Sequence, residues 1–268
     1  MRRALASEWY KLWRRGMVLG ILGSMAAVCV LAVILVFANA KAPGSAPPPG
    51  PGGGEQGLPT TEALAKDGFT RVFQFSGGLL GVISLVLFAQ ALGSEYREGT
   101  LKVLLSREPR RLVLLAGKLV ALGAFLAVAI LSAFAIQTLA ALLMAGARGI
   151  STSAWWTASA WQNAAGLVAR MWVADATRGL LGAALAILLR SSASAIGVGV
   201  GYLLVGEGIV SLVWKDATRW LPNFVLGTFT GGGTAAQPLA DASLLVAGYA
   251  IVFAAVCAVV FRQRDVTS

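Results

Sequence analysis

One carboxylate in this sequence stands where a carboxylate is expensive. Glu207 lies between Gly206 and Gly208 in an apolar run over residues 195–214, about 12 Å in from the end of a helix drawn through it. A charged group at that depth is a functional candidate by default: it could bind a cationic group, carry a proton or pair with Arg178. A structural ion pair, or a carboxylate wetted through a vestibule, reads equally well. Asp175 and Arg178 form a second constellation, three residues apart on one helical face, where they can pair. The third is a segment. The 25 residues from Ser94 to Lys118 hold nine of the 34 charged residues, between two apolar runs.

Other chemistries are excluded by what the chain lacks. It has no histidine, which removes histidine-based catalysis, the usual zinc sites and haem ligation. The two cysteines, Cys29 and Cys257, fall inside the first and last apolar runs and give neither a disulfide framework nor a metal-ligand spacing. An intramembrane hydrolase finds no histidine to partner a serine and no pair of membrane aspartates. Gly117-Lys118 is followed by Leu119, and Leu112 stands where a phosphate-binding loop needs its first glycine, so no ATP site is encoded.

The elements around these residues belong to a membrane protein. Hydrophobic residues make up 57% and charged ones 13%, a balance suited to lipid. Six runs are long enough to cross a bilayer, at residues 17–38, 72–92, 119–144, 170–189, 195–214 and 244–261. With the N-terminus in the cytoplasm, that side receives 14 of the 22 basic residues and only five of the 12 acidic ones. Almost the whole net charge of +10 then lies on one face, which reports orientation and leaves no case for nucleic-acid binding. Trp9 and Trp13 flank this inner surface. Trp155, Trp156, Trp161, Trp172, Trp214 and Trp220 gather at the predicted outer one, and both termini face inward.

Residues 1–15 predict an amphipathic helix along the inner surface, with Leu5, Trp9, Leu12 and Trp13 on one stripe. No cleavable signal is expected there, because the first run is too long. Residues 39–70 predict a flexible outer loop, rich in proline and glycine, ending in a short helix capped by Thr60 or Thr61 that re-enters near Phe69. The fourth run is awkward: its purely apolar stretch, Gly179 to Leu189, is only 11 residues, too short to cross ~30 Å. Gly16/Gly20, Gly77/Gly81 and Gly197/Gly201 have the spacing that lets a second helix approach closely. Residues 215–241 are too interrupted to span and predict short outer or re-entrant helices.

The connector carries the most information. Thr100 can cap a helix; Leu101, Leu104 and Leu105 form its apolar edge among Glu95, Arg97, Glu98, Lys102 and Arg107, and Pro109 ends it. This builds a short lever joined to two membrane helices, and its mixed charge suits a protein partner better than anionic lipid. Glu95, Gly99-Thr100-Leu101, Leu104-Leu105, Pro109, Arg111 and Gly117-Lys118 resemble the second-to-third-span connector of type-2 ABC exporter permeases. Ser7-Glu8 with Lys11, and the closing Phe261 to Val266, are similar to that family too. The resemblance implies six spans in the type-2 exporter fold, an elbow helix at residues 1–15 and a coupling helix in the 94–111 region. There Glu95, Tyr96, Arg97, Glu98, Gly99, Thr100, Leu101, Leu104 and Leu105 would dock on an ATPase. It also implies a pair of permease subunits, expected as a homodimer, with two ATP-binding subunits that hold the ATP and magnesium, in a prokaryotic cytoplasmic membrane. Spans two and five would flank the substrate path, which makes Gln74, Tyr202 and Glu207 its candidate lining. Phe75 to Leu79 mimics the ABC signature peptide but lies in a membrane run, where its glycines serve packing. Two rivals stay open: an ion-coupled secondary transporter with Glu207 as its ion or proton site, and a non-transporting subunit that recruits a cytoplasmic partner.

Overall fold

The computed structural model describes residues 15–41, 59–97 and 111–263. These form helices α1 (Arg15–Ala38), α2 (Thr61–Arg97), α3 (Arg111–Ala147), α4 (Ala158–Leu189), α5 (Ser192–Val213), α6 (Pro222–Thr230) and α7 (Leu239–Gln263), with 3-10 turns at Ser153–Trp156 and Lys215–Arg219. All but α6 are long and apolar enough to cross a bilayer, giving the six expected spans. The expected surface helix before Arg15, the body of the proline-rich loop, and connector residues Glu98, Gly99, Thr100, Leu101, Leu104 and Leu105 lie outside the described residues. Glu95, Tyr96 and Arg97 complete the last turn of α2.

Helix boundaries differ from the apolar runs because backbone continuity needs only the absence of a breaker. The Ala63 N–H donates to Thr60 Oγ1 at 3.3 Å, so α2 starts at the expected cap and not after residue 70. It breaks at Asp67 (φ −150°, ψ 30°), whose carboxylate pairs with Arg71 one turn on. Gly68 comes next because a Cβ there would stand 2.8 Å from the Trp155 indole. Lys41 N–H donates to the Pro59 carbonyl (3.2 Å) and Thr61 N–H to the Lys41 carbonyl (3.1 Å), which brings the loop's two ends together.

α4 begins twelve residues ahead of the expected Arg170, at Ala158, where Thr157 accepts the Ala160 N–H at 3.3 Å. Its 32 residues extend about 48 Å, which removes the length problem: the missing reach comes from the alanine- and tryptophan-bearing turns ahead of Arg170. The gap between the fourth and fifth apolar runs, residues 190–194, contracts to Arg190 and Ser191, because α5 is already helical at Ser192.

α2 and α4 lie side by side and parallel, and glycines decide how closely. A Cβ on Gly77 would meet Met171, one on Gly81 would stand 2.3 Å from Arg178 Cδ, and one on Gly182 would stand 2.4 Å from the Leu85 carbonyl oxygen. At the connector end, Gly93 of α2 lies against the Ser192 backbone, where a Cβ would come within 2.6 Å. The Gly77/Gly81 spacing therefore packs a helix as expected. Gly197 and Gly201 do not: nothing lies within 4 Å of a Cβ on either, and Gly199 between them faces Leu85 instead. Gly16 and Gly20 are equally open. α1 closes the other side of α2 and α3 with Met25, Cys29, Val33, Val36 and Phe37. At the loop end, Phe69, Phe73, Phe134, Trp155 and Trp161 form one aromatic cluster, with Phe69 and Trp155 ring centres 5.4 Å apart.

Candidate functional site

The buried charges converge on the shortest helix. α6 has nine residues, too few to be stable alone, and runs antiparallel to α4 with Asn223 beside Arg178 and Thr230 beside Arg170. Its start is set by Pro222 in the first turn, where the missing N–H is harmless and φ is already helical. That leaves the N–H groups of Asn223 and Phe224 without intrahelical partners. Glu207 takes both. The Asn223 N–H donates to Oε1 (2.8 Å) and Oε2 (3.0 Å), and the Phe224 N–H donates to Oε2 (3.1 Å).

At the other end of α6, Arg170 Nε donates to the Thr230 carbonyl at 3.3 Å. An anion sits at the positive end of the helix dipole and a cation at the negative end. Both come from neighbouring spans, so α6 is clamped by charge along its own axis.

Glu207 reaches that position through a local change of helix type. The Glu207 N–H bonds to the Tyr202 carbonyl, five residues back, closing a π-helical turn over Tyr202–Gly206 within α5. Such a turn inserts a residue and rotates the rest of the helix; here it delivers Glu207, only 1% exposed, to α6. The Tyr202 phenol lies against the same carboxylate.

Asn223 joins this cap to the second constellation. Its side-chain Nδ2 donates to the Leu203 carbonyl at 3.1 Å, while its Oδ1 accepts from Arg178 Nε at 3.0 Å. Arg178 Nη1 in turn donates to Asp175 Oδ1 at 2.9 Å, with Arg178 3% and Asp175 0% exposed. The guanidinium stem passes over bare Gly81. Ser84 Oγ–H donates to the Asp175 main-chain carbonyl at 2.6 Å, tying α2 to the same point. Asp175 and Arg178 are thus brought together as expected, but Arg178 approaches Glu207 through Asn223 instead of directly.

The three candidate path residues do not share one lining. Tyr202 and Glu207 are adjacent at the N-terminus of α6. Gln74 is exposed on α2 beside Gly231, past the C-terminus of α6. A small crevice opens elsewhere, between Phe69, Thr138, Leu142, Trp155, Trp156 and Trp161. Trp172, expected with the outer tryptophans, lies well inside α4 and donates its indole N–H to the Gly123 carbonyl of α3 at 2.9 Å. Asn223 and the clamping role of Arg170 were not foreseen. Pro222-Asn223 announces a helix start, yet nothing local says that its N–H groups face a residue sixteen positions earlier. Among the described residues no three histidine, cysteine, aspartate or glutamate side chains gather to hold a metal.

Fold and site together define an all-helical, multi-pass membrane protein whose bundle encloses a charge-clamped short helix. The chain belongs to the family described as protein of unknown function DUF2705, whose model matches residues 56–267 and so takes in every helix from α2 to α7. No curated protein matches the chain.

Proposed function

We propose that this protein is the permease subunit of an ABC exporter, driven by a separate ATP-binding subunit and working as a pair of permeases. The observation that carries the reading is the way α2 and α3 meet the charged connector. α3 has 37 residues, about 55 Å at 1.5 Å per residue, and α2 runs unbroken from its kink at Asp67 to Arg97, about 45 Å, against a hydrocarbon layer of about 30 Å. Both therefore run past their apolar segments, and the connector's ends at Arg97 and Arg111 are helical. A push on Glu95 to Leu105 has stiff helices to act on at both ends. The connector's mixed charge and its likeness to the coupling helix of type-2 exporters supply the partner: an ATPase that holds the nucleotide and magnesium. Affinity purification from the native membrane tests this. The expected companion is a polypeptide with both nucleotide-binding motifs; a preparation free of ATPase activity and of any such companion would reject it.

The ion-coupled rival rested on Glu207. With both carboxylate oxygens accepting backbone N–H groups, that residue has an occupant, which favours a structural part for it. The non-transporting rival differs in outcome alone: its vesicles would bind the ATPase and move no solute.

A further inference from the structure

Two polar side chains end on one bare turn. Gly231, Gly232 and Gly233 follow α6, with φ +89° at Gly232 and +91° at Gly233, a conformation that glycine adopts without strain. Gln74 of α2 reaches the turn at Gly231, where an added Cβ would stand 2.8 Å from its Nε2. Arg170 of α4, half-buried, reaches it at Gly232, where an added Cβ would stand 3.8 Å from Nη2. Arg170 Nη1 lies over another glycine, Gly166, one turn back along α4 and 3.3 Å from where a Cβ would be. With Nε bonded to the Thr230 carbonyl, the guanidinium is fixed at one corner while its two Nη groups end against glycines.

The same two residues share a depth. Leu189 ends α4, and Gly93 of α2 abuts Ser192 just past it, so Leu189 and Gly93 mark one level of the bundle. Arg170 and Gln74 each lie nineteen residues from that level, about 28 Å along a helix, against a hydrocarbon layer of about 30 Å. Both therefore stand at the far rim of the slab, where lipid phosphates lie. The contact of Nη1 with Gly166 extends the Arg170 side chain away from the hydrocarbon, as arginines near the end of a span do.

We propose that Arg170 and Gln74 form a phosphate-binding site at this rim. The Nη1/Nη2 fork matches two oxygens of one phosphate and donates a charge-assisted hydrogen bond to each. Gln74 donates to a third oxygen, which a planar carboxylate lacks. The glycines let the anion approach where side chains would otherwise cover the fork. A phosphodiester carries one negative charge and balances the guanidinium. The depth favours the headgroup of a membrane lipid as its source, and a soluble phosphate offers the same oxygens. Clamping and binding use different edges of the guanidinium, so Arg170 holds α6 and the anion together. This inference goes beyond the exporter reading and does not rest on it.

Thermal unfolding of the full chain, purified in an uncharged detergent, tests the site through the rise in Tm that a bound ligand causes. The probes are phosphatidylglycerol, a diacyl glycolipid without phosphate, and sodium phosphate against sodium chloride at matched ionic strength. Phosphatidylglycerol should raise the wild-type Tm and the glycolipid should not, and the rise should shrink by about half or more in Gln74→Ala and in Arg170→Lys. The same dependence with sodium phosphate alone would keep the site and make its ligand soluble. Gln74→Ala leaves the Arg170–Thr230 hydrogen bond in place, so it carries the test by itself if Arg170→Lys lowers the starting Tm. No rise with either phosphate probe, a rise equal in wild type and Gln74→Ala, or an equal rise with the glycolipid overturns the proposal.

Discussion

Glu207 is the residue whose meaning changes most between sequence and structure. Its burial marks it as exceptional, but its partners are main-chain N–H groups of α6, so composition and spacing could not reveal them. Removing the carboxylate leaves two donors unpaired in an apolar environment. Glu207→Ala should therefore lower stability by about 2 kcal/mol, the order of a lost cap plus buried unsatisfied donors. That corresponds to a fall in Tm of roughly 4–8 °C, read by thermal unfolding in detergent, and Glu207→Gln should lose less because one carbonyl oxygen remains. No change in Glu207→Ala would mean that the α6 cap contributes nothing. Arg170→Met should act in the same direction and more weakly, since it removes one hydrogen bond to α6 where Glu207→Ala removes three. Asp175 and Arg178 were legible as a pair from their spacing alone. Asn223, which joins that pair to Glu207, was not, because a lone asparagine after proline has many ordinary uses.

Helix existence is dictated by the apolar runs, while helix ends and contacts depend on steric detail that no run encodes. α4 outruns its apolar stretch since nothing in residues 158–169 breaks a helix, and its charges are neutralised by packing instead of by exclusion. Glycine spacing was equally ambiguous: three pairs share one spacing, and only Gly77/Gly81 meets another helix. This separation predicts opposite outcomes for alanine. Gly182→Ala forces a Cβ against the Leu85 carbonyl oxygen and should cost about 1–3 kcal/mol, as overpacking does. Gly197→Ala has open space and should be neutral, or stabilising by up to about 1 kcal/mol through helix propensity. Thermal unfolding of the two variants side by side checks the pair, and equal losses would contradict the α2–α4 packing. Gly93→Ala tests the crossing nearest the connector. Its Cβ would press on the Ser192 N and Cα, backbone atoms that cannot swing away, and the loss should match that of Gly182→Ala.

The described residues form six apolar helices and one clamped short helix, and the sequence places a charged connector between the two longest. Hydropathy announces the first part, and helix punctuation announces the second in outline. The function proposed for the third rests on chemistry and likeness. Its placement is open to test by cysteine labelling in a chain lacking Cys29 and Cys257, both of which are buried. A thiol at Ser106 should react from the cytoplasmic side and one at Ser153 from the outside. The measurement closest to the central claim is transport by the double variant Glu95→Lys, Glu98→Lys, reconstituted with its ATPase. ATP hydrolysis should continue without driving solute movement, in a protein that inserts and folds as the wild type does. Wild-type transport by that variant would show that the connector transmits no work.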